Sequence, residues 1–397
     1  MQVRAEINGQ DLVAAKVPGN NRLPAQKKKV LFVIDTLEMG GAEQSLLENC
    51  SRFTLIEPVV CHLYAGDLLK QQFVQRGISV HSVNITAKYA FLKAFKQLSS
   101  ILKVESPDLV VACLTRSEIV SRVVARINQI PVVGCFVSDL YAKSYNQSLS
   151  IKAKLAVSLF RWLNKVTAGF CTGFLANSEA IKIANARYLG IPQGKIEVVN
   201  RGRDSKLFSY NPSRVGSGQA PRFLTVGRLV PVKGQQDLLV AFRDVLKHCP
   251  GAVLHIVGEG PMRSSLVDTI NKYKLDRNVI LLGQRTDVQA LLHQYDCFVF
   301  PSHSEGFSGA VVEAMMSGIP VLASDIPANK EMIIHRQTGY LFEAGSVDGI
   351  TKAMLWYNSN REMAGDMARN AHNYAVQYFE LGIVAGKLEN YLSRLMH

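Results

Sequence analysis

The sequence predicts an α/β fold with two Rossmann-like, doubly wound parallel-sheet domains that face a central cleft. Short β-branched apolar runs alternate with helical patterns along most of the chain, which is typical of βαβ units. A Gly-, Ser- and Pro-rich stretch at residues 209–221 interrupts the alternation once and indicates a linker. The length of 397 residues exceeds what one hydrophobic core usually supports, so two domains are expected.

The first domain is predicted to span residues 28–205. Residues 1–27 before it are polar and lack periodicity, so we expect a loose N-terminal leader. Six strands are predicted in this domain, at Val30–Ile34, Pro58–Tyr64, Ile78–Val83, Leu109–Cys113, Val132–Val137 and Phe174–Ala176.

The second domain is predicted to span residues 206–379, where the alternation of strands and helices starts again. Its five predicted strands are Phe223–Val226, Val253–Val257, Val279–Leu282, Cys297–Phe300 and Val321–Ala323. Helical segments end the chain, and the segment Leu381–Leu395 is amphipathic. Because ligands of open parallel sheets bind outside the carboxyl ends of the strands, functional motifs should follow the strands directly.

The composition is that of a globular protein, with 48% hydrophobic and 19% charged residues. The net charge of +13 is uneven, since residues 1–204 hold 26 basic and 15 acidic side chains, an excess of 11. This excess indicates an anionic partner of the first domain, either a membrane surface or nucleic acid. A solvated basic surface without a partner is the alternative.

Seven cysteines lie at long spacings without a C-x-x-C pair, which indicates buried free thiols in a reducing compartment rather than disulfides or a zinc site. The chain has no signal-peptide pattern and no apolar run of about 18 residues. We therefore expect a cytoplasmic protein, able to sit at the inner face of the cytoplasmic membrane.

The segment Leu149–Val166 alternates basic residues with apolar and aromatic ones at helical spacing. Such a helix can lie in a membrane interface with its cations on anionic lipid. A helix packed on the domain core is the alternative.

Two glycine-containing motifs follow strands of the second domain. In the first, Gly227 and Arg228 directly follow a predicted strand, and Lys233 lies five residues further on. Glycine lets a ligand approach the backbone, and the two cations can both reach a diphosphate. In the second, Gly258 and Gly260 form a turn that opens a predicted helix at Pro261, which suits a phosphate but is also common in plain connections.

The third motif is the run from Pro301 to Met315, PSHSEGFSGAVVEAM. A helix is predicted to begin near Ser308, so the backbone amides of Phe307, Ser308 and Gly309 can donate to phosphate oxygens. Glu305 and Glu313 are eight residues apart, one on the loop and the other about one turn into the helix. Carboxylates accept hydrogen bonds from vicinal hydroxyls, so one can hold a sugar and the other a ribose.

Taken together, these motifs closely resemble the donor domain of glycosyltransferase family 4, the retaining enzymes of the GT-B fold whose signature is E-x(7)-E. The resemblance rests on FLTVGRLVPVKG, LHIVGEGP, VILLGQRTDV and FPSHSEGFSGAVVEAMMSGIPVLASD. MGGAE from Met39, ANS from Ala176 and the pair Arg201-Gly202 also fit, so the resemblance extends over nearly the whole chain from residue 30.

The resemblance implies a role for each matching residue. Arg228 and Lys233 would bind the donor diphosphate and stabilise the leaving group, Glu305 would bind the transferred sugar, and Glu313 the ribose. Further implied donor-binding residues are Gly41, Gly227, Gly258, Gly260, Leu282, Gly283, Arg285, Phe307, Ser308 and Gly309. The last helix, about residues 380–397, would cross back onto the first domain.

One position departs from the family pattern. Many members place a histidine in the cleft after the strand that ends here at Val137, whereas this chain has Ser138 and Asp139. These two residues become candidates for acceptor or sugar contact. The chain also has no D-x-D motif, so we expect no divalent metal and no other cofactor, and positive side chains would neutralise the diphosphate.

The sequence therefore predicts transfer of a hexosyl or N-acetylhexosaminyl group from a UDP- or GDP-linked sugar to an acceptor hydroxyl, with retention. Cell-envelope glycan, lipopolysaccharide, capsule or glycolipid synthesis is the expected setting, with a glycan or lipid-linked acceptor. A nucleotide-sugar epimerase or phosphorylase-like enzyme of the same fold is the alternative. A non-catalytic basic protein that binds membrane or nucleic acid is a further alternative.

Overall fold

The computed structural model describes residues 27–87, 90–138, 151–210 and 220–396, the side chains of residues 151–154 excepted. The predicted leader and most of the predicted linker thus lie outside the described residues. Two separate parallel sheets are present, which confirms the predicted α/β fold.

The first sheet has seven parallel strands in the order β3-β2-β1-β4-β5-β6-β7. These are β1 Lys28–Ile34, β2 Ile56–Tyr64, β3 Ser79–Ile85, β4 Leu109–Cys113, β5 Val132–Phe136, β6 Gly173–Ala176 and β7 Ile196–Val198. Its helices are α1 Gly41–Cys50, α2 Lys70–Gln75, α3 Phe91–Glu105, α4 Thr115–Ile127, α5 Ile151–Ala168 and α6 Glu179–Leu189.

The second sheet has six parallel strands in the order β10-β9-β8-β11-β12-β13. These are β8 Arg222–Val226, β9 Val253–Val257, β10 Val279–Gly283, β11 Cys297–Phe300, β12 Val321–Ser324 and β13 Tyr340–Phe342. The remaining helices are α7 Gln235–Leu246, α8 Arg263–Lys272, α9 Val288–Leu292, α10 Gly309–Met316, α11 Pro327–Lys330, α12 Val347–Ser359, α13 Arg361–Phe379 and α14 Leu381–Arg394.

The central strands are apolar over most of their length, because helices cover both faces of each sheet. In β1, for example, Val30–Ile34 is buried throughout, with no side chain more than 1% exposed. Continuous apolar runs of this kind are typical of parallel sheets covered on both sides. Each sheet accordingly separates two apolar clusters, one on either face.

Each of the eleven predicted strands overlaps an observed one, and the sequence missed β7 and β13. The helix predicted to open at Pro261 begins at Arg263, after a turn. None of the described helices is both long enough and apolar enough to cross a membrane.

The chain passes between the two sheets at two adjacent points. Arg203 donates its amide to the carbonyl of Phe379 at 2.9 Å, and the amide of Leu381 donates to the carbonyl of Arg203 at 2.9 Å. Beyond this crossing, α14 packs on the first sheet, where Val384, Leu388 and Leu392 join its apolar cluster.

Candidate active site

The loops that follow the strands of the two sheets meet in a cleft. Gly306, in the loop after β11, lies so close to the first domain that a Cβ atom there would collide with the carbonyl oxygen of Val137. Glu331 of the second domain accepts hydrogen bonds from the amides of Glu179 and Ala180, both at 2.8 Å, at the start of α6. The two domains are therefore in contact at two places, one of them in a loop described next.

Lys233 and Glu305 form an ion pair in this cleft. Lys233 ends a short 3₁₀ turn at Pro231–Lys233 after β8, and its Nζ lies 2.5 Å from Glu305 Oε1. Ser302 Oγ donates to the same carboxylate oxygen at 2.6 Å. Gly234, with φ of +68°, packs against the carbonyl of Pro301 and so holds the two loops together. The motifs at Gly227–Gly234 and Pro301–Met315 thus converge on one point.

Arg228 lies in the same loop as Lys233 and has an exposed side chain, whose charge acts on Glu43 of the first domain. Its carbonyl accepts a hydrogen bond from Gln235 Nε2 at 3.0 Å, which fixes the loop. Within the described ranges, its guanidinium forms no ion pair. Gly258 packs against the carbonyl of Gly227, and Gly260 packs against Leu229, so the two glycine turns form one surface.

Arg201 brings a further cation from the first domain. Its Nη1 lies 2.6 Å from the position that a Cβ of Gly41 would take, at the start of α1. Burial, together with the charge of Arg203, lowers the pKa of Arg201 to about 10, while Glu305, Glu43 and Glu48 oppose this change. Arg201 therefore stays protonated at neutral pH, and it lies near enough to Glu305 for their opposite charges to interact.

Arg203 connects carboxylates of both domains. Its Nε donates to Glu313 Oε1 at 2.6 Å, and its Nη1 lies 3.0 Å from Glu48 Oε2. The guanidinium packs against Gly309, the first residue of α10. Burial is the main cause that raises the pKa of Glu48, and the charge of Arg203 opposes it. Glu313, predicted to bind ribose, is thus already paired through one of its oxygens.

The loop before α10 presents its backbone rather than its side chains. The Phe307 ring is buried and packs edge-on against Phe379 at 5.3 Å. Ser308 is the N-cap residue of α10. In the described part of the chain, the amides of residues 307–309 donate to no other group. They are therefore free to donate to an anion, and their role in phosphate binding stays a prediction.

The other predicted site residues lie at the margins of the cleft. Leu282 and Gly283 are half-buried at the end of β10, where Gly283 has φ of +71°. Arg285 forms an exposed ion pair with Asp287 at 2.6 Å. Ser138 is half-buried and lines a small cavity in the first domain together with Glu118 and Asn164. Asp139 lies outside the described residues.

Sequence reasoning missed Arg203 and Glu48 and treated Arg201 only as a flanking feature. The short strand β7 could have indicated them, because Arg201 and Arg203 follow it at the carboxyl edge of the sheet. The sequence pattern did not predict this strand. No cluster of three or more potential metal ligands occurs among the residues that the structure describes. The expectation that no divalent metal takes part stays a prediction.

Comparison with known proteins identifies the family of this chain. Residues 39–207 match the family model described as Glycosyltransferase Family 4, and residues 212–374 match Glycosyl transferases group 1. The UDP-Gal:alpha-D-GlcNAc-diphosphoundecaprenol alpha-1,3-galactosyltransferase of Escherichia coli is 25% identical over 304 residues, which are 73% of this chain and 76% of that protein.

Other relatives cover the chain in part or share its fold. The glycogen synthase of Mycobacterium tuberculosis is 32% identical over 193 residues, 48% of this chain and 46% of that protein. The structure of Anabaena HepE in complex with UDP-glucose superposes with a TM-score of 0.80 at 22% identity, covering 92% of this chain and 99% of HepE.

The two family models account for both domains and for the cleft between them. The superposition on HepE agrees with two facing parallel-sheet domains. The chain belongs to glycosyltransferase family 4, the group 1 glycosyl transferases, and has the GT-B fold.

Proposed function

We propose that this protein transfers a hexosyl or N-acetylhexosaminyl group from a UDP- or GDP-linked sugar to an acceptor hydroxyl, with retention of configuration. The observation that carries the proposal is the ion pair of Lys233 and Glu305, held between two converging loops and facing Arg201 of the other domain. A cation and a carboxylate side by side match the two halves of a nucleotide-sugar, its diphosphate and its sugar hydroxyls.

In this reaction the acceptor oxygen bonds to the anomeric carbon, while the bond from that carbon to the phosphate oxygen breaks. The nucleoside diphosphate leaves with the electron pair of that bond, and the acceptor hydroxyl gives its proton to the departing phosphate oxygen. Lys233, Arg228 and Arg201 stabilise the charge that develops on the diphosphate, and the amides of residues 307–309 donate to its oxygens. Because these cations neutralise the leaving group, we propose that the reaction is independent of a metal.

The carboxylates hold the donor in position. One oxygen of Glu305 is shared by Lys233 and Ser302, which leaves the other oxygen to accept from a sugar hydroxyl. Glu313 binds the ribose through the oxygen that Arg203 does not use. The half-buried end of β10, at Leu282 and Gly283, takes the base, with Arg285 beside it.

The acceptor enters from the first domain, near Ser138 and Asp139. We propose a glycan or lipid-linked acceptor of cell-envelope synthesis, presented at the inner face of the cytoplasmic membrane. This proposal is supported by the lipid-linked acceptor in the name of the Escherichia coli relative and by the phosphatidylinositol monomannoside in that of another, a Mycobacterium tuberculosis mannosyltransferase.

The donor is tested by thermal shift with UDP, GDP, ADP and their sugars, because a tight ligand stabilises the folded protein by mass action. We expect the matching diphosphate to raise the melting temperature.

Lys233→Ala is expected to lower kcat for transfer or donor hydrolysis by about 10²–10³, as for loss of one preorganised charge-stabilising group. Lys247→Ala, on the exposed end of the same domain, is the control and should keep full activity. Unchanged turnover in Lys233→Ala would disprove the role of this lysine.

A further inference from the structure

Helix α5 has an inner face that belongs to the core of the first domain. Asn164, Thr167 and Ala168 are buried. The fully buried Arg122 of α4 donates to the carbonyl oxygen of Asn164 at 3.3 Å and also to its side chain. Core packing therefore accounts for one side of the amphipathic segment identified in the sequence, and it leaves the opposite side unexplained.

The outer face of α5 carries a stripe of exposed apolar side chains. Leu155, Leu159, Trp162 and Val166 are 67%, 56%, 60% and 51% exposed. Their spacing of four, three and four residues places them along one line of the helix, turned away from Asn164. Isolated exposed apolar residues are common, but a continuous exposed stripe of this size marks an interaction surface.

Cations accompany this stripe. Arg161 and Lys165 are exposed on α5, and no acidic residue occurs anywhere in Ile151–Ala168. The Phe91 ring lies 6.2 Å from that of Phe160, which places the first turn of α3 beside α5.

The first two turns of α3 also carry exposed side chains. Leu92 is 89% exposed, and Lys93 and Lys96 are exposed as well. Cations of α5 itself therefore flank the apolar stripe, and the neighbouring helix α3 carries further exposed cations.

We propose that the outer face of α5 docks on an anionic lipid bilayer, with Leu159 and Trp162 in the headgroup region and Arg161 and Lys165 on lipid phosphates. The chemistry fits because an apolar stripe with basic flanks is the pattern of helices that lie in a membrane interface. A second copy of the chain would bring like charges together, because residues 1–204 already carry an excess of 11 basic side chains.

The position of α5 relates this surface to the cleft. Strands β5 and β6 are parallel neighbours, so α5 returns from the carboxyl edge of the sheet, where the cleft lies, to the amino edge. A helix of 18 residues runs about 27 Å along the domain. A bilayer on its outer face would lie along the first domain, beside the side from which the proposed acceptor enters. Docking itself does not depend on the proposed chemistry.

Trp162 provides a direct readout, because the protein contains two tryptophans and Trp356→Phe leaves Trp162 alone. With vesicles of phosphatidylcholine and phosphatidylglycerol, we expect the emission of Trp162 to shift to shorter wavelength. Vesicles of phosphatidylcholine alone, or high salt, should give a much smaller shift. An emission maximum that stays unchanged with anionic vesicles would overturn the proposal.

Flotation with the same vesicles tests the apolar part and the basic part of the surface separately. These variants keep Trp356. Leu159→Glu/Trp162→Glu should abolish flotation. Arg161→Ala/Lys165→Ala should weaken binding to anionic vesicles about 25-fold, since each interfacial cation contributes roughly a factor of five. Met363→Glu, an equally exposed apolar position on α13, is the matched control and should float like the unmodified protein.

Donor hydrolysis and melting temperature should be unchanged in all these variants, which separates loss of docking from loss of folding or of chemistry. Flotation that survives Leu159→Glu/Trp162→Glu would overturn the proposal. Sedimentation as a dimer that this double substitution dissociates would instead assign the stripe to a second copy of the chain.

Discussion

At the scale of single residues, Arg203 is the point at which charges of both domains meet. It lies between Glu48 of α1 and Glu313 of α10, and it is only 5% exposed. Loss of the cation would leave two carboxylates facing each other without a positive charge between them, although Gln44 Nε2 still donates to Glu48 at 3.2 Å. Breaking a buried pair in this way costs more than the pair itself contributes, because the remaining charge is uncompensated.

Arg203→Ala is therefore expected to lower the free energy of unfolding by about 3–5 kcal/mol, measured by urea denaturation. Arg52→Ala is the matched control, since Arg52 pairs with the neighbouring Asp204 at 2.6 Å but is itself 47% exposed. Removal of such an exposed pair should cost less than about 1 kcal/mol. Equal effects of the two substitutions would contradict a special role for Arg203.

The sequence predicts residues that act through local motifs better than residues that act through tertiary pairing. Lys233 and Glu305 each lie in a loop that directly follows a strand, and the structure brings them into contact. The pairing of Glu313 with Arg203 joins positions 110 residues apart and depends on how the domains approach, so no local pattern indicates it.

At the scale of elements, the strands that the sequence missed are the two three-residue strands, β7 and β13, each at the edge of its sheet. A central strand such as β4 has five consecutive apolar or small residues. In contrast, β7 has only two apolar residues, Ile196 and Val198, on either side of Glu197, which is too short a pattern to predict a strand. Short edge strands form because a neighbouring strand provides hydrogen bonds, and that neighbour is not visible in the local sequence.

Helix α14 shows how a polar contact can fix an element that apolar packing alone would leave free to slide. The buried Glu389 accepts hydrogen bonds from the amides of Thr54, Leu55 and Ile56 at 2.7, 2.6 and 3.0 Å. These amides precede and begin β2, so the carboxylate ties the end of the chain to the first domain.

Glu389→Ala is expected to destabilise the protein by about 2–4 kcal/mol, because three amides lose a charged acceptor. Glu197→Ala is the control, since Glu197 also faces α14 through Lys387 but at 3.7 Å, with Lys387 exposed and Glu197 half-buried. That change should cost less than about 1 kcal/mol. Hydrogen exchange at the start of β2 should quicken in Glu389→Ala and stay unchanged in the control.

At the scale of the whole molecule, the structure holds its two domains in contact. Gly306 lies against Val137, Glu331 caps α6, and Arg203 joins α1 to α10. The groups proposed to bind the diphosphate belong to both domains, so they surround one ligand only while the cleft stays closed. Closure of this kind excludes water and completes the set of catalytic groups.

Gly306→Ala tests closure without altering a charged group. The backbone at Gly306 is not in the left-handed region, so alanine fits its conformation, and the added methyl group collides with the first domain at the Val137 carbonyl. Overpacking of this size costs about 1–3 kcal/mol. Here it raises the free energy of the closed state relative to the open one. We therefore expect kcat/KM to fall by about 5-fold to 150-fold, with a larger radius of gyration by small-angle scattering.

Gly194→Ala is the control for Gly306→Ala, because a Cβ at Gly194 meets no atom within 4 Å. It should keep the activity and the dimensions of the unmodified protein. Because the added methyl group at residue 306 acts only between the domains, the melting temperature should change little in either variant. Full activity of Gly306→Ala with an unchanged radius of gyration would show that contact between Gly306 and Val137 is not needed for transfer.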